Sequence, residues 1–411
     1  MIGRTAPAFV LLFACGGDST RVPGDPDGGS SDADSDVDAD SDSDTGPAVD
    51  PSDEVYAADL FPRFELTLSD ESIAALEADP RTYVTATFTY GDEVIDEIGV
   101  HLKGEYTFRD LSAKAAFKIK FDEFVADQEF RGLRRMTWNN MFEDPSFVAE
   151  RLVYQAFREA DLPAPRCNSA EVWVNGEMFG VYANVETEDK TFLARWFDSN
   201  DGNLYEETGA EFTPGNEWAF ELETNETAND RSDLTAFIAA IDAASDETFM
   251  QDVADVLDVD RFLEYSAMEG VVNQWDGYSY TRFGPNNFRF YIDPTTGLGS
   301  FLPWGMDMAM KPFPSSGEAH LPMRWPTGLI LQRCFDSPSC RTAYDDAARA
   351  AADLYDSLDL EADAQDAYDQ IQGAVYADPR REHDEGTFEG FFGWVRDFAR
   401  DRAAVVRADF P

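Results

Sequence analysis

The sequence predicts an α+β fold: an antiparallel, β-rich N-terminal part and a mostly helical C-terminal part, arranged around one internal β-hairpin. Three observations carry this. Apolar and polar residues alternate at period two through "RFELTL", "YVTATFTY", "EIGVHLK" and "AFKIKF". Beyond residue 229 the apolar residues recur at three and four, as in "DLTAFIAAIDAA", "TFMQDVADVL" and "DRFLEYSAMEGVV". Between helical stretches, two short apolar runs, "NNFRFYID" and "GSFLPWGMD", are joined by the turn-forming "PTTGLG". With 411 residues, 43% of them apolar and 13% aromatic, the chain has core material for one large domain or two ordinary ones.

The chain opens with "MIGRTAPAFVLLFAC", a single positive charge followed by a short apolar run, which reads as a signal peptide over residues 1–15. The run is too short to span a bilayer, and "LFAC" resembles the lipobox of bacterial lipoproteins. The expectation is export, with a lipid anchor on Cys15 at the cell envelope or surface as the only membrane attachment. Residues 16–58 follow as a tether rich in Asp, Ser and Gly with almost nothing to bury. Its nearest approach to a calcium loop, "DSDSDTG" from Asp40, has its glycine one place late and Pro51 where the bidentate glutamate belongs.

The globular part is expected over residues 59–411, β-rich over 59–228 and helical over 229–411. A helix "SFVAERLVYQAFREA" follows a start signal at Asp144, and "AEVWVNGEMFGVYANVE" reads as a hairpin turning on Asn175-Gly176. Export permits disulfides, and Cys334 and Cys340 in "RCFDSPSC" bracket a short loop, so they are expected to pair and Cys167 to remain a buried thiol. The formal charge of -49 excludes general affinity for nucleic acid, which demands a basic footprint. Three scattered histidines argue against a zinc site or a Ser-His-Asp triad, and neither a P-loop nor a dinucleotide turn is present.

Folding the internal hairpin symmetrically about Gly297 pairs Ile292 with Leu302, Phe290 with Trp304 and Phe288 with Met306 on the core face. The same register sets Asn287 opposite Asp307, about 5 Å apart on the other face. An amide oxygen and a carboxylate so placed suit a hard cation such as Mg²⁺ or Mn²⁺. Asp276, in "NQWDGYSY", faces the same space as a base or further ligand. A hydrogen-bonded strand end and a helix-terminating turn explain the same residues equally well. Eight of the 32 basic residues fall between His101 and Arg135, against six acids, which marks a local anion site. Lys118 and Lys120 share one face of "AFKIKF", although alternating lysines more commonly mark a solvated strand face. Glu186, at the end of "GVYANVE", is expected to pair with one of them. The order Lys, Glu, Asp, Asn, Asp is that of phosphoryl transfer by kinases, at spacings longer than in ordinary protein kinases.

Together "AFKIKFD", "DPSFVAERLVYQAFREADLPAPR", "VWVNGEMFGVYANVE", "GNLYE", "NQWDGY", "NNFRFYIDPTTG" and "FLPWGMDMAM" resemble the CotH (spore coat protein H) kinase family, from about Glu97 to Ala309. The resemblance implies a remote protein-kinase-like fold and phosphorylation of Ser or Thr in a surface protein, with ATP and Mg²⁺ or Mn²⁺. It makes Asp307 and Asn287 the metal-binding residues and Asp276 the other active-site aspartate. Lys118 or Lys120 becomes the nucleotide-binding lysine, Lys118 being preferred, with Glu186 as its acidic partner. Lys103 joins the nucleotide-binding set at "KGEYTFRD", where family members often carry a stretch of small residues; this chain keeps Gly104 alone. Two other readings remain: a non-catalytic surface structural or adhesion protein on the same fold, and a hydrolase using Asp276 and Asp307 as a carboxylate pair.

Overall fold

Seven strands whose inward side chains alternate with polar outward ones close into a barrel in the N-terminal half. The computed structural model describes residues 50–207, 209–282, 284–313 and 317–411. The expected signal peptide, Cys15 anchor and most of the acidic tether lie outside the described residues. The fold begins before Asp59: Pro51–Val55 form a 3-10 turn in which Ser52 and Val55 are buried, and Arg166 pairs with Asp53 at 2.5 Å.

The strands are β1 (Arg63–Leu68), β2 (Val84–Tyr90), β3 (Glu93–Lys103), β4 (Ala116–Lys120), β5 (Arg135–Asn139), β6 (Cys167–Val174) and β7 (Glu177–Glu186). Their order around the barrel is β1-β2-β3-β4-β5-β7-β6. All neighbours are antiparallel except β1 and β6, whose parallel pairing closes a sheet expected to be antiparallel throughout. Phe64, Phe88, Phe117 and Trp138 fill the interior, Phe64 stacking on Trp138 at 5.3 Å. Asn175 and Gly176 turn β6 into β7 with φ of 51° and 78°, the positive values a two-residue turn needs. Asn175 also ties the turn to β1 through both backbone groups of Leu68.

Helix α1 (Asp70–Ala78) lies between β1 and β2, α2 (Ala149–Glu159) between β5 and β6, and α3 (Lys190–Trp196) after β7. Asp144 starts the second of these as expected, its carboxylate accepting the N–H groups of Ser146 and Glu150. A second, four-stranded sheet follows from β8 (Asn203–Glu207), β9 (Phe220–Leu222), β10 (Phe288–Ile292) and β11 (Gly299–Pro303), ordered β11-β10-β8-β9. Around it pack α4 (Ser232–Ala243), α5 (Phe249–Val253), α6 (Val259–Val271), α7 (Leu329–Asp336), α8 (Pro338–Ser357), α9 (Leu360–Ala377) and α10 (Glu385–Asp409). The β-rich and helical parts therefore fall where the periodicity placed them. Cys334 and Cys340 form a disulfide between α7 and α8, and Cys167 is a buried free thiol. No helix among the described residues is long and apolar enough to cross a membrane.

The internal hairpin forms, in a different register. Phe288 faces Pro303, Phe290 faces Phe301 and Ile292 faces Gly299, so the strands are offset by three residues from the symmetric fold about Gly297. The cause is Asp293. Its carboxylate accepts the N–H of Thr295 at 2.8 Å while its carbonyl accepts that of Gly297 at 2.7 Å, which centres the loop between Thr295 and Thr296. An odd offset exchanges faces. Leu302 joins Tyr291, Phe192, Leu193 and Leu204 on one side, and Phe288, Phe290 and Phe301 take the other.

Candidate active site

Polar side chains on the outer face of β3, β4 and β5 meet the end of the second sheet and the first turn of α2. Lys103 closes β3. Its Nζ donates to Asn139 Oδ1 at 2.5 Å and lies 5.0 Å from the ring centre of Trp304. The Asn139 amide donates in turn to Glu150 Oε1 at 2.8 Å, on a helix whose apolar face is fully buried. Burial pushes the Lys103 ammonium down and the Glu150 carboxyl up, while the attraction between them opposes both shifts. Glu150 Oε2 is buried without a hydrogen-bond partner.

Beyond Pro303 the chain leaves the sheet through Gly305, at a φ of 58°, and enters a 3-10 turn, Met306–Met308, that holds Asp307. A Cβ on Gly305 would stand 2.3 Å from Asn287 Oδ1, so only glycine admits the amide there. Gln274 Nε2 donates to Gly305 O at 3.2 Å and Met310 N to Val272 O at 2.8 Å, fastening the turn to the end of α6. Burial raises Asp307 to about 7, with Glu143 and Asp276 adding to the shift and Lys311 and Lys103 opposing it. Asp276 Oδ2 accepts from Asn287 at 2.7 Å and from Asn286 at 3.0 Å. Burial raises Asp276 to about 6, Glu143 adding and the two amides opposing. Lys311 Nζ, 3.3 Å from Glu143 Oε2, flanks both carboxylates.

Beneath this cleft Arg289 is wholly buried. It meets Glu188 at 3.1 Å, Glu206 at 2.9 Å and Glu223 at 3.4 Å, with its Cζ 4.5 Å from the centre of the Trp304 ring. Trp304 is thus shared by Arg289 and Lys103.

Asp307, Asp276, Asn287 and Lys103 come together as a group. Asn287 does not face Asp307 across a ladder. Its amide nitrogen is committed to Asp276, its oxygen packs on Gly305, and the two strands end before Asp307. Lys118 extends from the same barrel face and acts on Lys103, Glu206 and Glu223. Lys120 instead pairs with Glu123 at 2.6 Å, three residues along its own chain. Glu186 pairs with no lysine: Arg166 at 2.8 Å and Arg195 at 2.5 Å hold its carboxylate, because the last residues of β7 turn toward the 3-10 turn at Ser52. The acid behind Lys103 is Glu150, which reaches it through Asn139. Its position after "DPSFVA", in the first turn of a helix, ordinarily marks a dipole-complementing surface residue. Only its place on the buried face of "AERLVYQAF" distinguishes it, and that face was legible.

An amide oxygen and two carboxylates of raised proton affinity suit a hard divalent cation, and one or two carboxylates suffice for Mg²⁺ shared with phosphates. Asp307, Asp276 and Asn287 fit such a cation; the orphaned Glu150 Oε2 and the neighbouring Lys103 fit an ordered polar ligand beside it. Among the described residues no three His, Cys, Asp or Glu side chains gather into an all-protein metal cage.

Comparison with known proteins places the chain. It is 27% identical over 222 residues to "Inner spore coat protein H" of Bacillus subtilis (strain 168), covering 51% of this chain and 58% of that protein. It is 22% identical over 292 residues to "Invasin CotH7" of Rhizopus delemar, covering 64% of this chain and 47% of the relative. The chain thus spans about half the length of the curated relatives it matches. A solved HipA, HipB and operator DNA complex of Shewanella oneidensis MR-1 aligns over 83% of this chain and 71% of that one, with a TM-score of 0.33 and 8% identity, too distant to carry an argument. The family model described as "CotH kinase protein" matches residues 100–406, which take in Lys103, Glu150, Asp276, Asn287 and Asp307 alike, and the chain belongs to the CotH kinase protein family.

Proposed function

We propose that this protein is a phosphotransferase that moves the γ-phosphoryl group of ATP to a Ser or Thr hydroxyl of a surface protein, with Mg²⁺ or Mn²⁺. The observation that supports it most is the convergence, from β3, β5, α2, the end of α6 and the turn after β11, of a Lys103–Asn139–Glu150 chain on the carboxylates Asp276 and Asp307. That is the division of labour phosphoryl transfer requires: a cation for phosphates, an acid to fix it, and carboxylates for metal and acceptor. In this reading Lys103, with Lys118 beside it, meets the phosphates and Glu150 holds Lys103 in place through Asn139. Asp307 and the Asn287 oxygen would hold the metal, which when bound would neutralise charge on the phosphoryl oxygens. The acceptor hydroxyl attacks the γ-phosphorus, the bond to ADP breaks, and Asp276 takes the hydroxyl proton, its pKa of about 6 leaving it ionised and basic near neutrality.

Surface location is supported by the names of two relatives, a spore coat protein and an invasin. Export and the Cys15 anchor remain part of this proposal. The same names favour the second reading, a non-catalytic surface protein. One experiment separates them: transfer from labelled ATP, with thermal shift in ATP and Mn²⁺, comparing wild type, Asp307→Ala and Asp276→Ala. Transfer and stabilisation in wild type, with transfer lost in both variants and stabilisation lost in Asp307→Ala, supports the phosphotransferase. No stabilisation of an intact wild type leaves the surface-protein reading.

A further inference from the structure

The loop between β3 and β4, residues 104–115, leaves the cleft directly after Lys103. Gly104 is followed by Glu105, Tyr106, Thr107, Phe108 and Arg109, side chains too large for a backbone that wraps phosphates by itself. It is nevertheless held down at many points. Arg81 donates to the carbonyls of Leu102 and Gly104 at its start. Asn140, next to the Asn139 that holds Lys103, donates to Thr107 O at 3.0 Å and Lys114 O at 2.9 Å.

Tyr182 Oη donates to Ala115 O at 2.7 Å, and most of the remaining braces come from residues 378–383, the link between α9 and α10 and more than 260 residues away along the chain. Arg109 and Glu382 form a bidentate pair at 2.7 and 2.9 Å. Arg380 donates to the carbonyls of Leu111, Ser112 and Ala113 at 3.3, 3.0 and 3.1 Å while its guanidinium stacks on Phe179. Asp378 meets Lys114 at 2.6 Å with both side chains buried, and its carboxylate lies where a Cβ on Gly180 would stand. His383 Nε2 is 2.7 Å from the carbonyl of Phe142, whose ring carries the Arg109 guanidinium 3.9 Å from its centre.

We propose that residues 378–383 are a strap that fixes the 104–115 loop beside Lys103 as a rigid wall of the nucleotide-phosphate pocket, so that a segment of the C-terminal helical block sets nucleotide affinity. The inference rests on the phosphotransferase reading. The strap does by cross-bracing what small residues do by close approach: it removes the entropy the loop would lose on binding. Arg109, Arg380 and Glu382 act as positioning residues.

The test uses the full chain with Arg109→Glu, Glu382→Arg and the double swap; this pair is half-buried, so the fold survives its loss, unlike that of Lys114 or Asp378. Each single variant is expected to speed amide hydrogen exchange over residues 104–113, to raise the Kd and KM for ATP with Mn²⁺ by roughly tenfold, and to leave kcat and Tm near wild type. The double swap restores both exchange and affinity. Faster exchange with unchanged ATP affinity, or unchanged exchange, overturns the strap while the phosphotransferase reading stands. A wild type that binds no ATP overturns that reading, and the strap with it.

Discussion

Arg289 lies wholly buried among three glutamates, Glu188 fully buried and Glu206 and Glu223 half-buried, and replacing it with methionine should expose how much the floor of the cleft depends on it. Methionine retains most of the volume. What it removes is the partner of Glu188, Glu206 and Glu223 and the cation under Trp304. Breaking a buried pair from one side costs about 3–5 kcal/mol, because the surviving charge stays desolvated. With an unfolding entropy of about 2.1 cal/mol/K per residue over roughly 360 folded residues, a 4 kcal/mol loss lowers Tm by about 5 °C. The loss should depend on pH. Arg289 holds Glu223 below the ordinary value of 4.5, so Glu223 contributes stability that is present above that value and lost as pH falls through its folded value. Burial raises Glu188 to about 8, so it is already largely protonated near neutrality and adds little to the difference there. With the cation gone, burial acts on Glu223 unopposed by Arg289 and raises its carboxyl, which costs stability as pH rises; the gap between wild type and variant therefore widens toward neutral pH and narrows toward pH 4. Thermal and urea denaturation at both pH values measure it. A loss under about 1 kcal/mol at neutral pH, or an equal loss at both, refutes the reasoning.

Three further outcomes follow from the site. Glu150→Gln is expected to lower kcat/KM for ATP by at least about tenfold by weakening the hold on Lys103, whereas Glu186→Gln should act on stability alone; equal effects on transfer kinetics would reverse the assignment of the two acids. Gly305→Ala should cost about 1–2 kcal/mol for the left-handed backbone and weaken Mn²⁺ binding by displacing the Asn287 amide, so an unchanged Tm and titration would contradict the contact. Mn²⁺ competes with protons on Asp307, at about 7, and binds its ionised form. Its affinity, followed by calorimetry, should therefore rise roughly thirtyfold between about pH 5.5 and about pH 8 and then level off; a flat profile removes Asp307 from the metal site.

The barrel strands, α2 and the turn at Asn175-Gly176 were legible because each is specified locally, by period two, by period three to four, or by two residues that tolerate positive φ. The closure of the barrel was not. The parallel pairing of β1 with β6 joins residues more than a hundred positions apart, and nothing within either strand distinguishes a parallel partner from an antiparallel one. The hairpin register failed for a different reason. Centring on Gly297 treats the glycine as the pivot, but Asp293 organises the loop by taking the N–H of Thr295, and the glycine lies toward its exit.

The same contrast decides the two glutamates. A place at a strand end near basic strands points Glu186 at a lysine, yet a strand end says only where the backbone stops. The arginines that claim it, Arg166 and Arg195, come from segments on either side that bend back beside it. Glu150 offered a stronger physical signal. Its carboxylate sits on the buried stripe of an amphipathic helix, where an unpaired acid would cost several kcal/mol, so the fold must bring a cation or a neutralising proton to it. Lys103 is that cation, reached through Asn139, with Asp307 close enough to push the pKa of Glu150 further up. A polar residue on an apolar stripe thus points to a site more reliably than one at a strand end, and by that criterion Glu150 and Asp307 belong to one cluster.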